Sequence, residues 1–342
     1  MPISNKPLLP IFGIATCLAF LCLTGCGGAS DTAPTPAPKP VLDNVTRTVA
    51  AAATAQTNQL CSVIQPFYWE IGDKSQKWGS ASVNKAGTLV SYNEDSVLSV
   101  ASASKWLYAA YVAERRAGVL SAQDIQFLHF RSGYTNFTFS GCDPADTVAS
   151  CVARGRNGIQ TPGNVDKFYY NGGHMQTHAN LPAPGMDLGT LDNAALATEM
   201  RRLLGSDVNL SYTQPQLAGG VRTSAKDYAV FLRKLLNNQL KMAALLGTNA
   251  VCTNPATCPD AVSTPITTGA NWHYSIGHWV EDDASTGDGA FSSTGAFGFY
   301  PWVDASKTYY GIVARFDAAG SGNESAQCGA QIRKAWVTGL AQ

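Results

Sequence analysis

Ser102 and Lys105 lie three residues apart in the run Ser99-Val100-Ala101-Ser102-Ala103-Ser104-Lys105-Trp106-Leu107-Tyr108. A helix that starts at about Ser102 sets both side chains on one face, one turn apart. A serine hydroxyl is a weak nucleophile until a base takes its proton. A lysine amine can be that base only if burial or nearby charge depresses its pKa far below the free value of about 10.4. A serine at a helix N-terminus also leaves a forming oxyanion among unpaired backbone N–H groups. The plain alternative is a serine N-cap followed by a surface lysine.

Context separates this pair from its double. Ser82 and Lys85 share the spacing, but Gly79-Ser80-Ala81-Ser82-Val83 alternates like a strand, which points positions three apart to opposite faces. After Lys105 comes an apolar helical stretch with Glu114, Arg115 and Arg116 in its last turn and Gly118 as a stop.

The elements that must hold the pair follow from periodicity. Residues 41–60 read as an Ala/Thr/Val-rich helix and Phe67 to Gly72 as a strand. Short strands follow around Ala81 to Val83 and Thr88 to Tyr92. Between residues 121 and 261 the pattern is helical with long loops, clearest over 192–204 and 224–236. Strands return at 274–281, 295–303 and 308–316, and an amphipathic helix closes the chain over 324–340. The expected fold class is therefore α/β in the α+β sense. An antiparallel sheet is built from both chain ends and flanked by helices, with a mostly helical lobe inserted over about 106–261. A cleft between the two is where a ligand site forms.

Composition bounds the partners. The 342 residues carry 24 basic and 24 acidic side chains, so no net charge steers the chain toward nucleic acid. Residues 1–25 read as a secretory signal: a basic start, an apolar run from Leu8 to Leu23, and small residues before a cut. Leu23-Thr24-Gly25-Cys26 resembles a bacterial lipobox. That resemblance implies lipidation at Cys26, a membrane partner through that anchor, and a periplasm-facing lipoprotein of the cell envelope, at the outer membrane since Gly27 follows. Residues 26–40 are a Pro/Ala-rich tether that cannot bury a core, and 41–342 form one domain. Of nine cysteines, Cys17 and Cys22 leave with the signal. Six remain besides Cys26, an even number in an oxidising compartment. Spacing pairs Cys142 with Cys151 and Cys252 with Cys258, leaving Cys61 to meet Cys328. No cysteines have C-x2-C spacing, and His174 and His178 lack a nearby acidic partner, so no metal or cofactor is expected.

Taken in order, the motifs carry a family resemblance. Ser102-Ala103-Ser104-Lys105 is followed by Gly118-Val119-Leu120-Ser121, Arg131-Ser132-Gly133-Tyr134 and Phe168-Tyr169-Tyr170-Asn171-Gly172-Gly173. Then come Ala218-Gly219-Gly220-Val221-Arg222-Thr223-Ser224, Ser275-Ile276-Gly277-His278-Trp279, and Ser293-Thr294-Gly295-Ala296-Phe297-Gly298 ahead of Trp302-Val303-Asp304. Together they resemble the serine β-lactamase and penicillin-binding superfamily, in its class C-like branch of family VIII-type esterases, D-amino-acid peptidases and oligomer hydrolases.

The resemblance implies Ser102 as nucleophile, Lys105 as its proton acceptor and a tyrosine as second base. Tyr169 fits the Tyr-x-Asn motif literally, while Phe168, two residues before it, selects Tyr170, which is preferred. That register puts Gly172 at the asparagine position, so the orienting amide is missing or supplied by Asn171. The Lys105 ammonium would lower the phenol's pKa. The third motif reads Ser293-Thr294-Gly295 and lacks the Lys or His that meets a substrate carboxylate, which suits neutral substrates. The oxyanion hole would be the N–H groups of Ser102 and Ala296. Asn171, His174, Ser293, Thr294, Gly295 and Phe297 are candidate substrate contacts, with Trp279 and His278 as further candidates for the acyl-pocket wall. The implied function is a serine hydrolase that acts on small esters or amides through an acyl-enzyme. A D-alanyl-D-alanine carboxypeptidase or β-lactamase is the alternative, and a non-turnover binding or sensor lipoprotein is a second.

Overall fold

Helix α1 (Asn44–Thr57) begins where the Asp43 carboxylate accepts from Thr46 N. Asn58 ends it by turning extended, and its own side chain then caps the short α2 (Gln59–Ser62), so the expected single helix over 41–60 is two. These positions belong to a computed structural model that describes residues 42–138, 141–267 and 269–342. The expected signal segment 1–25, the tether 26–40 and Cys26 lie outside the described residues.

β1 (Phe67–Asp73) and β2 (Lys77–Val83) form a hairpin. The expected strand over Thr88 to Tyr92 is a loop with Leu89 and Val90 exposed, and its bond to the β2 edge is a side-chain one, Ser82 Oγ donating to Tyr92 O at 2.6 Å. A short β3 (Leu98–Ser99) leads through a 3-10 turn at Ala101–Ala103 into α3 (Ser104–Arg115), whose residues from Ser104 to Ala113 are all buried. The middle of the chain supplies α4 (Ala122–Leu128), α5 (Val148–Ala153), β4 (Phe168–Tyr169), α6 (Gly173–Asn180) and α7 (Asn193–Leu204). It continues with β5 (Ser211–Tyr212), β6 (Val221–Thr223), α8 (Ala225–Leu236) and α9 (Met242–Leu245). The rest is β7 (Val251–Cys252), β8 (Ala261–Ser263), β9 (His273–Tyr274), β10 (Trp279–Glu281), β11 (Ala290–Ser292), β12 (Tyr300–Val303), β13 (Tyr309–Ala314) and α10 (Gly322–Thr338).

Eight strands make one sheet in the order β2-β1-β13-β12-β11-β10-β9-β7. Every neighbouring pair in it is antiparallel, and β1, from the front of the chain, pairs with β13 from the back, Trp69 opposite Val313. The expected α+β class, an antiparallel sheet from both ends around a helical middle, is the class observed. Two expected strands are instead hairpins. Over 274–281 the chain reverses at Gly277, which has a left-handed φ of 70°, and a side chain there would strike Ala109 and the Lys105 carbonyl on α3. Over 295–303 it reverses before β12, where Gly295 N donates to Phe299 O.

Packing divides the core in two. One face of the sheet covers α3 and the helical elements; the other presents Trp69 and Trp302 to α1 and α10, where Trp336 of α10 joins them. Each fully buried large side chain contributes about 1.5–3 kcal/mol. All three expected disulfides form: Cys61–Cys328, Cys142–Cys151 and Cys252–Cys258. Cys61 and Cys328 are both fully buried and join α2 to α10 across 267 residues of sequence. A Cys61→Ala/Cys328→Ala chain is expected to lose roughly 2–5 kcal/mol of stability, read as a lower urea midpoint.

Candidate active site

The Ser102 turn is gripped from three sides. Val100 N donates to Val221 O on β6 at 3.1 Å, Tyr228 Oη on α8 donates to Ala103 O at 2.9 Å, and Ser293 Oγ donates to Ser102 O at 3.1 Å. Within the turn, Ser104 Oγ donates to Ala101 O and accepts from Val221 N. Ala101 takes a positive φ of 44°, an unfavourable region for alanine, which these surrounding bonds hold in place. The result is a half-exposed Ser102 standing on the first turn of a buried helix.

One turn on, Lys105 is only 4% exposed. Its Nζ lies 2.9 Å from Ser102 Oγ and 2.7 Å from Ala218 O. Burial with no carboxylate partner pushes its pKa down to about 7. In the neutral amine one N–H serves Ala218 O, and the lone pair is left for the serine proton.

Tyr170 follows β4, and Lys105 Nζ is 4.9 Å from its ring centroid. The ring stacks on Trp279 at 5.4 Å and meets the edges of Phe130 and Tyr274. Burial raises the phenol well above its ordinary value, against a hydrogen bond with Ser102 that pulls it down. The expected lowering by a Lys105 ammonium is thus reversed, because the same burial that discharges the lysine disfavours a phenolate. Tyr170 lines the site; Tyr169 faces away and offers its carbonyl to His174 Nε2.

Two cavities meet at Ser102. One of about 190 Å³ is lined by Lys105, Tyr170, Phe137, Asn171, Gln216 and Gly219, among others. The second, about 290 Å³, is lined by Thr294, Ala296, Pro265, Thr267 and the start of α10 from Gly320 to Asn323. Ser102 and Tyr170 belong to both. Among the described residues, Lys105 is the only charged side chain lining either.

Other candidates fall elsewhere. His174 does not reach substrate space: it is fully buried, with Nδ1 2.7 Å from Ser132 Oγ, and its pKa is pushed down to about 3 by burial. His178 is equally buried between Tyr108 and Asp124, so neither ring has a nitrogen free for a metal. Asn171 lines the first cavity, but its amide donates to Phe137 O and accepts from Gly173 N, a brace for the start of α6. Ser293 grips the Ser102 carbonyl. Gly295 is glycine because a side chain would collide with Val100 O. Phe297 lines neither cavity and pairs with Phe316 at 4.9 Å. Trp279 backs Tyr170, and His278 stacks behind on Trp106, so neither forms a cavity wall.

No family model and no curated protein matches the chain. Solved structures do. A putative β-lactamase from Bacteroides dorei DSM 17855 superposes with a TM-score of 0.56 at 19% identity, covering 80% of this chain and 92% of that one. The D-amino acid amidase from Ochrobactrum anthropi SV3, complexed with L-phenylalanine, gives 0.59 at 10%, covering 86% and 99%. An octameric penicillin-binding protein homologue from Pyrococcus abyssi gives 0.58 at 11%, covering 87% and 77%. The chain has the serine β-lactamase and penicillin-binding-protein fold.

Within this β-lactamase fold the motif letters gave Ser102, Lys105 and Tyr170 but not everything around them. Ala218 acts through its carbonyl and Gly219 through its missing side chain, so only the Ala-Gly-Gly run marked them. Gln216 and the Gly320–Asn323 segment carried no signal. The lysine's burial has a stability consequence with a definite sign. Between its native pKa of about 7 and an unfolded value near 10.4, only the unfolded chain holds the proton, so lowering pH disfavours the native state. A Lys105→Met chain should therefore gain on the wild type by about 1.4 kcal/mol per pH unit as pH falls through that window, and no further below it. Denaturant unfolding of both proteins at a series of pH values measures the difference.

Proposed function

We propose that the protein is a serine hydrolase that opens small, uncharged esters or amides through a covalent acyl-enzyme, within the class C-like branch of its fold. The observation that carries this reading is Ser102 Oγ at 2.9 Å from the amine of a buried Lys105, at the junction of two cavities. Lys105 Nζ takes the Ser102 proton as Oγ bonds to the substrate carbonyl carbon. The negative oxygen that forms is met by the N–H groups of Ser102 and Ala296. Collapse breaks the ester or amide bond, and the leaving group takes a proton from Lys105 through the Tyr170 hydroxyl. Water then attacks the acyl carbon, gives its proton back along the same path, and frees the acid and Ser102.

The pKa values support Lys105 as the base and Tyr170 as a neutral relay, since the lysine alone titrates near neutrality. The uncharged walls support neutral substrates. A second reading, a D-peptidase or β-lactamase, draws on one observation: the positive end of α10 borders the second cavity and would favour a substrate carboxylate by about 0.3–1 kcal/mol. That is small beside a buried cation, so esters lead. From the signal-like start and the lipobox-like Leu23-Thr24-Gly25-Cys26, we propose that the enzyme works as an envelope lipoprotein anchored through Cys26.

Ser102→Ala should abolish fluorophosphonate labelling and lower hydrolysis of short-chain nitrophenyl esters by about 10³-fold or more. Turnover of nitrocefin but not of the esters would favour the second reading. For the wild type, kcat/KM should rise with pH through a midpoint of about 7 as Lys105 loses its proton; a flat profile from pH 5 to 9 would remove Lys105 as the base.

A further inference from the structure

We propose that the Cys252–Cys258 disulfide is a positioning clamp for Tyr170, and that a thiol reductant that opens it slows turnover. This rests on the reading of Tyr170 as the proton relay. Both ends of the bridge lead to that residue. Cys258 is followed by β8, which pairs in parallel with β4; Phe168 N donates to Asp260 O at 2.7 Å, and Tyr170 N donates to Ser263 O at 3.0 Å. Cys252 lies in β7, which pairs with β9, setting Val251 opposite Tyr274. Tyr274 in turn meets the Tyr170 ring edge-on at 5.8 Å. One bridge thus ties the lead into β8, which holds the tyrosine's backbone, to β7, the partner of the strand whose Tyr274 meets its ring.

On its far side β4 is held by Tyr169 N donating to Phe130 O at 3.0 Å, and on its near side by β8. β4 and β8 form a sheet of two strands, of two and three residues, and so small a sheet is marginal alone. Beyond β8, Asn323 Nδ2 donates to Pro265 O at 2.8 Å, pinning the far end at the second cavity. On the near side, Thr253 Oγ1 donates to Trp272 O, and Asn254 and Thr257 donate to the Asn271 amide oxygen. The disulfide is the covalent tie among these contacts. It is also the accessible one: Cys61, Cys328, Cys142 and Cys151 are buried, whereas Cys252 and Cys258 are half-exposed. A thiolate reaches a disulfide only through access to one of its sulfurs. A dithiol reductant would give two hydrogens to the Cys252 and Cys258 sulfurs and close its own disulfide.

The test compares oxidised wild type, wild type opened by brief mild reduction, and a Cys252→Ser/Cys258→Ser chain, with alkylation and peptide mass mapping to show which sulfurs were freed. Expected are retained Ser102 labelling, KM within about threefold and kcat lowered by about tenfold or more. A pH profile would also change: a falling limb would appear near pH 10, as water reaching the loosened Tyr170 brings its pKa back toward the ordinary value. Reoxidation should restore the reduced wild type. Unchanged kcat, or a loss of kcat and stability with an unaltered pH profile, would overturn the proposal. Should the double variant fail to fold, the reversible opening of the wild type decides alone. If oxidised wild type hydrolyses no ester or amide, the functional reading falls and this inference with it. Hydrolysis indifferent to the bridge defeats the inference only.

Discussion

An amine without a counter-ion, held away from water, is the constraint on which the site depends. Transfer of an ammonium out of water is expensive, and a group so placed gives up its proton instead. Lys105 is buried because α3 is buried, and α3 is buried because the sheet covers one side of it and the helical elements the other. The central helix is thus both the middle of the larger core and the element that carries the buried amine. The single strong bond to Ala218 O keeps the amine from being orphaned and fixes its lone pair toward Ser102.

The same dryness settles the tyrosine. Trp279, Phe130 and Tyr274 enclose the Tyr170 ring, and a phenolate there would have no cation to meet once the lysine is neutral. Two groups that in water titrate within a unit of each other are pushed in opposite directions, one down and one up. At neutral pH the amine can therefore accept a proton while Tyr170 stays a neutral phenol.

The sequence marked the side chains that meet at the cavities better than their surroundings, for physical reasons. Ser102 and Lys105 were legible because three residues on a helix is one turn, and the apolar run after them showed that the helix was inside. Tyr170 was preferred to Tyr169 only through the family register that Phe168 set, and it is Tyr170 that lines both cavities. His174 was misplaced because proximity in sequence to a reactive residue does not say which side of α6 a ring occupies; it packs inward on Ser132. Phe297 was misread for a similar reason, since the turn at Gly298 carries it outward to Phe316. The hairpins at Gly277 and Gly298 were read as continuous strands, because an apolar run does not reveal a reversal that depends on a left-handed glycine. What no letter could show is the part played by main chain: Ala218 O, and the space kept at Gly219 and Gly295.

The pairing of β1 with β13 has a consequence for the chain as it is made. Ser102 and Lys105 leave the ribosome early, but Ser293, Ala296 and the first turn of α10 come near the end, as does the strand that completes the sheet over α3. The partners of the Lys105 amine, Ser102, Tyr170 and Ala218, lie in the first two-thirds of the sequence, whereas the walls of the second cavity at Thr294, Ala296 and Gly320 to Asn323 come last. Contacts this far apart in sequence form slowly and only once the polypeptide is nearly whole. The surroundings of Ser102 are thus completed only when strands from both ends of the described chain have met.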